Sequence, residues 1–386
     1  MKLDNQLRYA AMIVKEYPGE SPLHHWLKQY FRQNKQMGST DRKRISGMVY
    51  SFYRLGKSLM EMAPEERILA GLFLCNYPDP EILGYFRPSW NEKTGWTTEE
   101  KYRFLDGNAT PADIFPWKEE LSAGMEHAAF CDSFLVQPDL FLRLRPGREK
   151  KVITQLEKAS LPFRSIDPGC IALPNATKLD KLVEINRDAV IQDYNSQRIG
   201  DFIKLPRAPG SLPKVWDCCA ASGGKSIMAW DKNPGIELTV SDIRETMLLQ
   251  LKNRFREAGI NRFKVFAADL SKPETRLPAG HFDLVIADLP CSGSGTWGRN
   301  PESLYFFKPG EIIHYSSLQR KIISTVVPTL KKGGSLLYST CSVFKKENEE
   351  IREFTQRQFG LQIVCEALLT GYQNRADSLY ASLFRV

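Results

Sequence analysis

From Lys214 onward the chain keeps repeating one alternation: a short apolar run, a turn, an amphipathic stretch, then another apolar run. The apolar runs are VWDCCA, ELTVSDI, KVFAADL, FDLVIADL and GSLLYSTC. Between them lie helical stretches such as 244–258 (RETMLLQLKNRFREA) and 311–331 (EIIHYSSLQRKIISTVVPTLK), the second interrupted by Pro328, which should kink it. Short strands that are apolar throughout are covered on both faces. Alternation with helices therefore predicts a parallel sheet flanked by helices on both sides, a doubly wound, Rossmann-like α/β domain.

Upstream the rhythm differs. In residues 1–60 apolar side chains fall on helical stripes, Leu7, Ala10, Ala11 and Val14 on one and Leu23, Trp26, Leu27 and Tyr30 on the next. Ser39-Thr-Asp-Arg reads as a helix start before Ile45, Val49, Phe52 and Tyr53. Residues 61–85 continue helical, with Pro78 and Pro80 expected to end the run, and 86–118 has weak periodicity. Beyond these, Leu140–Arg145 alternates like a strand, Arg148–Ala159 has helical spacing, and Phe163–Ile166 and Cys170–Leu173 are two short strands. The expected organisation is a helical N-terminal region over residues 1–125, a small α+β module over 126–190 and the doubly wound domain over 191–386.

Charge narrows the partners. The net charge is +8, and residues 1–60 hold 11 Lys/Arg against 4 Asp/Glu, whereas residues 61–125 hold 6 against 12. Basic character in the first helices and in the last two thirds of the chain favours a polyanion. Arg143 and Arg145, beside Arg148, Lys150 and Lys151, are expected to face phosphates. No apolar run approaches the roughly 20 residues of a membrane span, and the first residues lack a leader pattern. The eight cysteines show no CxxC spacing and fit a reduced, cytoplasmic chain without a metal site. A monomer is the expected state.

The predicted strand ends carry the chemistry. The first runs into Asp217-Cys-Cys-Ala-Ala-Ser-Gly-Gly-Lys225, where Gly223 and Gly224 let backbone approach a ligand at a helix start. This is neither a GxxxxGK[ST] phosphate loop, since Cys219 stands where Gly is needed, nor a GxGxxG turn. The next three strands end in Asp242, Asp269 and Asp288. Three carboxylates would repel a pyrophosphate, but they suit a ligand with ribose hydroxyls, an amine and a cation. S-adenosylmethionine has all three, and it is the expected cofactor.

Cys291 follows Asp288 in IADLPCSGSG, and Cys341 ends the fifth strand in LLYSTCS. Neighbouring fourth and fifth strands would put both thiols in one crevice. Carbon 5 of cytosine is a poor nucleophile until a thiolate adds to carbon 6, and a carboxyl group at the N3/N4 edge then stabilises the developing charge. Removal of the proton at carbon 5 and loss of the thiol need a second titratable group. Lys225 and Arg299 are candidates for lowering the nucleophile's pKa. The chemistry alone leaves open which cysteine attacks.

DCCAASGGKS, SDIRE, AADL, DLPCSGSGTWGRNPE and LLYSTCSVFKKENEE, in this order, resemble the Sun/Fmu (RsmB/NOP) family of RNA cytosine-5 methyltransferases over roughly residues 126–386. QPDLFLRLRPG resembles the family's small RNA-binding module, and AVIQDYNSQRIGDFI its linking segment; DRKRISGMVYSFYRL is similar, more weakly, to a NusB-like helical extension. The resemblance implies that Cys219, Ala220, Ala221, Ser222, Gly223, Gly224 and Lys225 form the methyl-donor loop, and that Asp242, Asp269 and Asp288 bind the donor. It implies Cys341 as nucleophile, Cys291 as the residue assisting product release, Asp288 as the catalytic acid, and rRNA or tRNA as substrate; Arg299 is, with Arg143 and Arg145, an expected RNA contact. Ser222 stands where the family usually has Pro, Gly298 where it has Arg, and Asp377-Ser-Leu-Tyr380 where many members have Asp-Gly-Phe-Phe. The competing expectations are a catalytically silent RNA-binding assembly factor and a methyltransferase of DNA or protein. Two intact cysteines and three acids weigh against the first; the basic α+β module favours structured RNA over the second.

Overall fold

The computed structural model describes residues 1–75, 79–205, 211–272, 275 and 277–386. The chain divides into two compact units: Met1–Leu121 with Met125–Gln137 and Thr296–Lys308, and Ser122–Gly124 with Pro138–Gly295 and Pro309–Val386. This differs from the three expected segments in two ways. The small α+β module shares a unit with the doubly wound sheet, and thirteen residues that follow the Pro-Cys turn belong to the N-terminal unit.

In the N-terminal unit, helices Leu3–Glu16, Leu23–Gln33 and Ser39–Arg54 bury predicted stripe residues, among them Ala10, Leu27, Ile45 and Val49, and helix Pro64–Leu74 adds Phe73. Gly71 permits the closest crossing, since a Cβ there would lie 2.3 Å from the Ser51 carbonyl oxygen. Pro80 does not end a helix. It opens Pro80–Phe86 at a first-turn position with no N–H to lose, while Asp79 accepts from the Glu81 and Ile82 amides; Pro78 lies outside the described residues. The stretch 86–118 contains helix Thr98–Leu105 behind a Thr97/Glu100 capping box. Thr296–Lys308 enters this unit's core through Trp297, Leu304 and Phe307. Arg54, fully buried, donates from Nη1 to the carbonyls of Phe134 (2.8 Å) and Gly298 (3.1 Å), and Leu23 N donates to Glu302 Oε1 (3.0 Å).

In the second unit, β1 (Leu140–Leu144), β2 (Arg164–Asp167), β3 (Cys170–Leu173) and β4 (Ala189–Ile191) form an antiparallel sheet in the order β2-β3-β1-β4. The larger sheet contains β5 (Lys214–Asp217), β6 (Glu237–Asp242), β7 (Phe263–Ala267), β8 (Phe282–Asp288), β9 (Leu330–Thr340), β10 (Gln362–Leu369) and β11 (Leu379–Arg385) in the order β10-β11-β9-β8-β5-β6-β7. All five predicted strands are present and mutually parallel, while β11 pairs antiparallel with both β9 and β10. Alternate residues supply two separate cores: Val215, Val240, Leu284, Ile286 and Leu337 on one face, Trp216, Val285, Ala287, Leu336 and Tyr338 on the other. Pro328 terminates rather than kinks: helix Gly310–Val326 passes into a 3₁₀ turn over Val327–Thr329.

Candidate active site

The sheet order sets four acids side by side at the C-terminal ends of β8, β5, β6 and β7: Asp288, Asp217, Asp242 and Asp269. Strand order reverses in direction at β5, between β8 and β6, where doubly wound sheets bind ligands.

The loop after β5 makes a tight return. Ala221 has φ +46° and Gly223 φ +83°, and a Cβ on Gly223 would fall 2.7 Å from the Phe255 ring. Helix Gly224–Lys232 starts at once. Asp242 anchors the loop by accepting from Ala221 N (2.9 Å) and also accepts from Arg244 N (2.9 Å). Ser222 Oγ accepts from Arg254 Nη1 (2.6 Å), a bond that a proline at this position could not make. Asp269 accepts from Ser271 Oγ and N, bonds that hold its carboxyl below the usual range. Asp217 was not singled out from the sequence as a site residue. It is buried, accepts from Ser226 Oγ at 2.6 Å through one oxygen, and its other oxygen has no hydrogen-bond partner. Burial pushes its carboxyl up to about 7. Carboxylates aimed from neighbouring strands, an orphaned buried oxygen and a glycine loop at a helix start fit a ligand with ribose hydroxyls, an ammonium and a carboxylate, as S-adenosylmethionine has.

The two cysteines meet. Cys291 Sγ and Cys341 Sγ lie 3.4 Å apart, just beyond the ends of the neighbouring strands β8 and β9, and both are partly exposed. The hydrogen bond with Cys341, then burial and nearby negative charge, push the Cys291 thiol up. Beside them Asp288 Oδ2 accepts from Lys225 Nζ (2.6 Å), and its Oδ1 from Ser339 Oγ (2.8 Å). Burial would lower the Lys225 ammonium, but Asp288 and Cys341 outweigh it and raise the pKa. Lys225 therefore stays a cation close to the thiol pair.

The loops bearing the thiols are fixed from below. Gly295 N donates to Cys341 O (2.9 Å) and Gly295 O accepts from Ser378 N (2.9 Å). Glu347, fully buried, accepts from Ser292 N and Ser342 Oγ, the residues after each cysteine. Glu347 sits in the charged run KKENEE, which gives no sign in sequence of a buried carboxylate.

The arginine expectations need correction. Arg143 Nη1 donates to Asp231 Oδ2 (2.6 Å) and Nε to Gln192; Arg145 grips Asp231 Oδ1 at 2.7 Å and the carbonyl of Ala258 at 2.7 Å. Their side chains are 10% and 13% exposed. Arg145 and the Nη1 of Arg143 thus tie the end of β1 to helix Gly224–Lys232, an internal role in place of the expected one at phosphates, while Arg143 Nη2 is buried without a hydrogen-bond partner. Arg299 belongs to the other unit.

Residues 207–374 match the family model described as 16S rRNA methyltransferase RsmB/F. Ribosomal RNA small subunit methyltransferase B of Xanthomonas campestris is 31% identical over 194 residues, 48% of this chain and 44% of that protein. The Proteus mirabilis protein of the same name is 29% identical over 223 residues, 55% of this chain and 51% of that protein. The chain thus spans about half the length of these curated relatives. Among solved structures, PH0851 superposes with a TM-score of 0.71 at 18% identity, over 98% of this chain and 97% of that one. NSun6 from Pyrococcus horikoshii, solved with SFG, gives 0.57 at 14% identity, over 74% of this chain and 97% of that one. At these identities the superpositions establish the fold.

Proposed function

We propose, from the match of residues 207–374 to the RsmB/F family model, that this chain is an S-adenosylmethionine-dependent RNA cytosine-5 methyltransferase acting on small-subunit rRNA. The observation that carries the reading is the pair of sulfurs 3.4 Å apart beside the Lys225–Asp288 ion pair. A single thiol at a strand end is commonly structural; two at a ligand crevice with an acid and a cation match a reaction that must both add and eliminate a thiolate.

Asp242, Asp269 and the loop from Cys219 to Lys225 hold the cofactor, which supplies an electrophilic methyl group. Cys341 attacks: its sulfur forms a bond to carbon 6 of cytosine, and the displaced electron pair makes carbon 5 nucleophilic. Asp288, held by Lys225 and Ser339, faces the N3/N4 edge and accepts from the N4 amine, while the Lys225 cation it holds beside the ring offsets the negative charge that builds there. Once carbon 5 carries both hydrogen and methyl, its hydrogen passes as a proton to water, the electron pair reforms the ring double bond, and the carbon–sulfur bond to Cys341 breaks. Cys291, kept as a thiol by its neighbour, assists that release by donating its proton to the departing Cys341 thiolate. Arg299 remains the proposed RNA contact, and the relatives, ribosomal RNA methyltransferases by name, support rRNA over tRNA. No described helix is long and apolar enough to cross a membrane; a cytoplasmic location is part of the same proposal and rests on the rRNA substrate.

The test is nucleoside analysis of 16S rRNA incubated with the protein and methyl-labelled cofactor. Label in 5-methylcytosine, lost in Cys341→Ala, is expected; label in any other nucleoside, or turnover retained by Cys341→Ala, would refute the reading.

A further inference from the structure

Glu347 is fully buried, and among the described residues no cation lies within ion-pair distance of it. Burying an unpaired carboxylate costs stability. Its hydrogen bonds indicate what the position gains. Oε2 accepts from Ser292 N at 2.8 Å and from Gln319 Nε2 at 3.4 Å, and Oε1 accepts from Ser342 Oγ at 2.9 Å. Gln319 Nε2 also donates to the carbonyl of Pro290 at 3.0 Å. One carboxylate therefore grips the residue after Cys291, the residue after Cys341 and, through Gln319, the residue before Cys291. Ser292 and Ser294 close the web, each lying 3.2 Å from Ser342 Oγ, and Val343 N donates to Ser294 Oγ (2.9 Å). The Tyr338 hydroxyl holds the backbone of Glu347 itself by donating to its carbonyl.

We propose that Glu347 is the positioning residue of the thiol pair: its tethers to Ser292 and Ser342 hold Cys291 at the separation from Cys341 that product release requires. This rests on the methyltransferase reading for its consequence, but the positioning itself does not. Burial pushes the Glu347 carboxyl up while its three donors favour the charged form, so the tethers, more than a fixed charge, define its part. Glutamine can keep them: its oxygen accepts from Ser292 N and its amide donates to Ser342 Oγ, a hydroxyl that can act either way. Aspartate keeps the charge, but its carboxylate retreats by about 1.5 Å, roughly one bond length, and cannot span both loops. The substitutions therefore separate reach from charge.

The experiment uses the full chain and two readouts. In the first, the Cys291–Cys341 pair is equilibrated with oxidised glutathione, two thiols giving one disulfide and two reduced glutathiones, and quantified by peptide mass spectrometry. Glu347→Asp and Glu347→Ala should lower the pair's effective concentration at least tenfold, and Glu347→Gln should stay within threefold of the parent. An unchanged value in Glu347→Asp and Glu347→Ala, or a pair that closes in no variant, overturns the proposal. The second readout is covalent RNA–protein adduct on 16S rRNA. Glu347→Asp should turn over at least tenfold more slowly while accumulating adduct, with Glu347→Gln near the parent; slow turnover without adduct would mean a merely structural role and overturns the release function. Should Glu347→Ala fail to fold, the Asp and Gln pair still decides the matter. Failure of the cytosine reading would show instead as absence of 5-methylcytosine with the parent protein, leaving the thiol measurement standing.

Discussion

Replacing Asp217 with asparagine should make the protein's stability less sensitive to pH, with a magnitude set by the burial of that carboxyl. Asp217 is 1% exposed, and its folded pKa of about 7 compares with 3.8 for an unperturbed group. Because the folded value is raised, the native chain holds the proton more tightly than the unfolded chain. Stability from that proton is complete below pH 3.8 and is lost progressively as pH rises through 7. At about 1.4 kcal/mol per pH unit of separation, the full cost of ionising Asp217 in place is about 4 kcal/mol, reached above pH 7. Asparagine keeps the acceptor for Ser226 Oγ and never ionises. Urea unfolding of parent and Asp217→Asn at about pH 4.5 and about pH 8.5 should therefore show the variant gaining about 3 kcal/mol relative to the parent across that interval. Any constant offset from the new amide cancels in this difference. A gap that changes by less than about 0.5 kcal/mol would refute the assignment of a buried, proton-holding carboxyl to this strand end.

Other perturbations follow from the same geometry. Asp231→Ala strands two buried guanidinium groups and should cost about 3–5 kcal/mol in urea unfolding; a loss below about 1 kcal/mol would mean that Arg143 and Arg145 are solvated after all. Gly295→Ala places a Cβ 1.9 Å from the Ser378 carbonyl oxygen, a backbone atom that cannot step aside. It should lower the melting temperature and abolish methyl transfer together, at about 3 kcal/mol; normal melting and turnover would contradict the close approach of these loops. Asp242→Ala removes the acceptor for Ala221 N and one of the proposed cofactor-holding carboxylates, and calorimetry should find S-adenosylmethionine binding about 10- to 100-fold weaker. Unchanged affinity would move the cofactor elsewhere.

The doubly wound sheet was legible because its information is local: five apolar runs alternate with helices, and each run ends where the chain must turn. The meeting of Cys291 and Cys341 followed from one further step, the adjacency of β8 and β9, and the 3.4 Å separation agrees with it. Features that depend on distant partners were not legible. Arg143 and Arg145 read as phosphate contacts by composition, yet Asp231, more than eighty residues away, holds both. Glu347 lies in a run of charges that reads as solvated helix, and only the fold brings Ser292 N beneath it. The C-terminal strands went unread for different reasons: β10 follows helix Glu349–Phe359 in the same alternation but its run QIVCEALL carries a charge at Glu366, and β11 runs antiparallel to both neighbours, outside the pattern that revealed the rest. The transfer of Thr296–Lys308 to the N-terminal unit is likewise a tertiary fact, carried by contacts such as Arg54 to Gly298 O.

If Cys341 attacks and Cys291 releases, Cys291→Ala should stall with RNA attached. Cys291→Ala is incubated with 16S rRNA and S-adenosylmethionine, the denatured product is digested, and the RNA-modified peptide is located by mass spectrometry. A stable adduct is expected on the peptide carrying Cys341, bonded through carbon 6 of a 5-methylated cytosine. Turnover at the parent rate without adduct, or an adduct on any other residue, would contradict this division of roles.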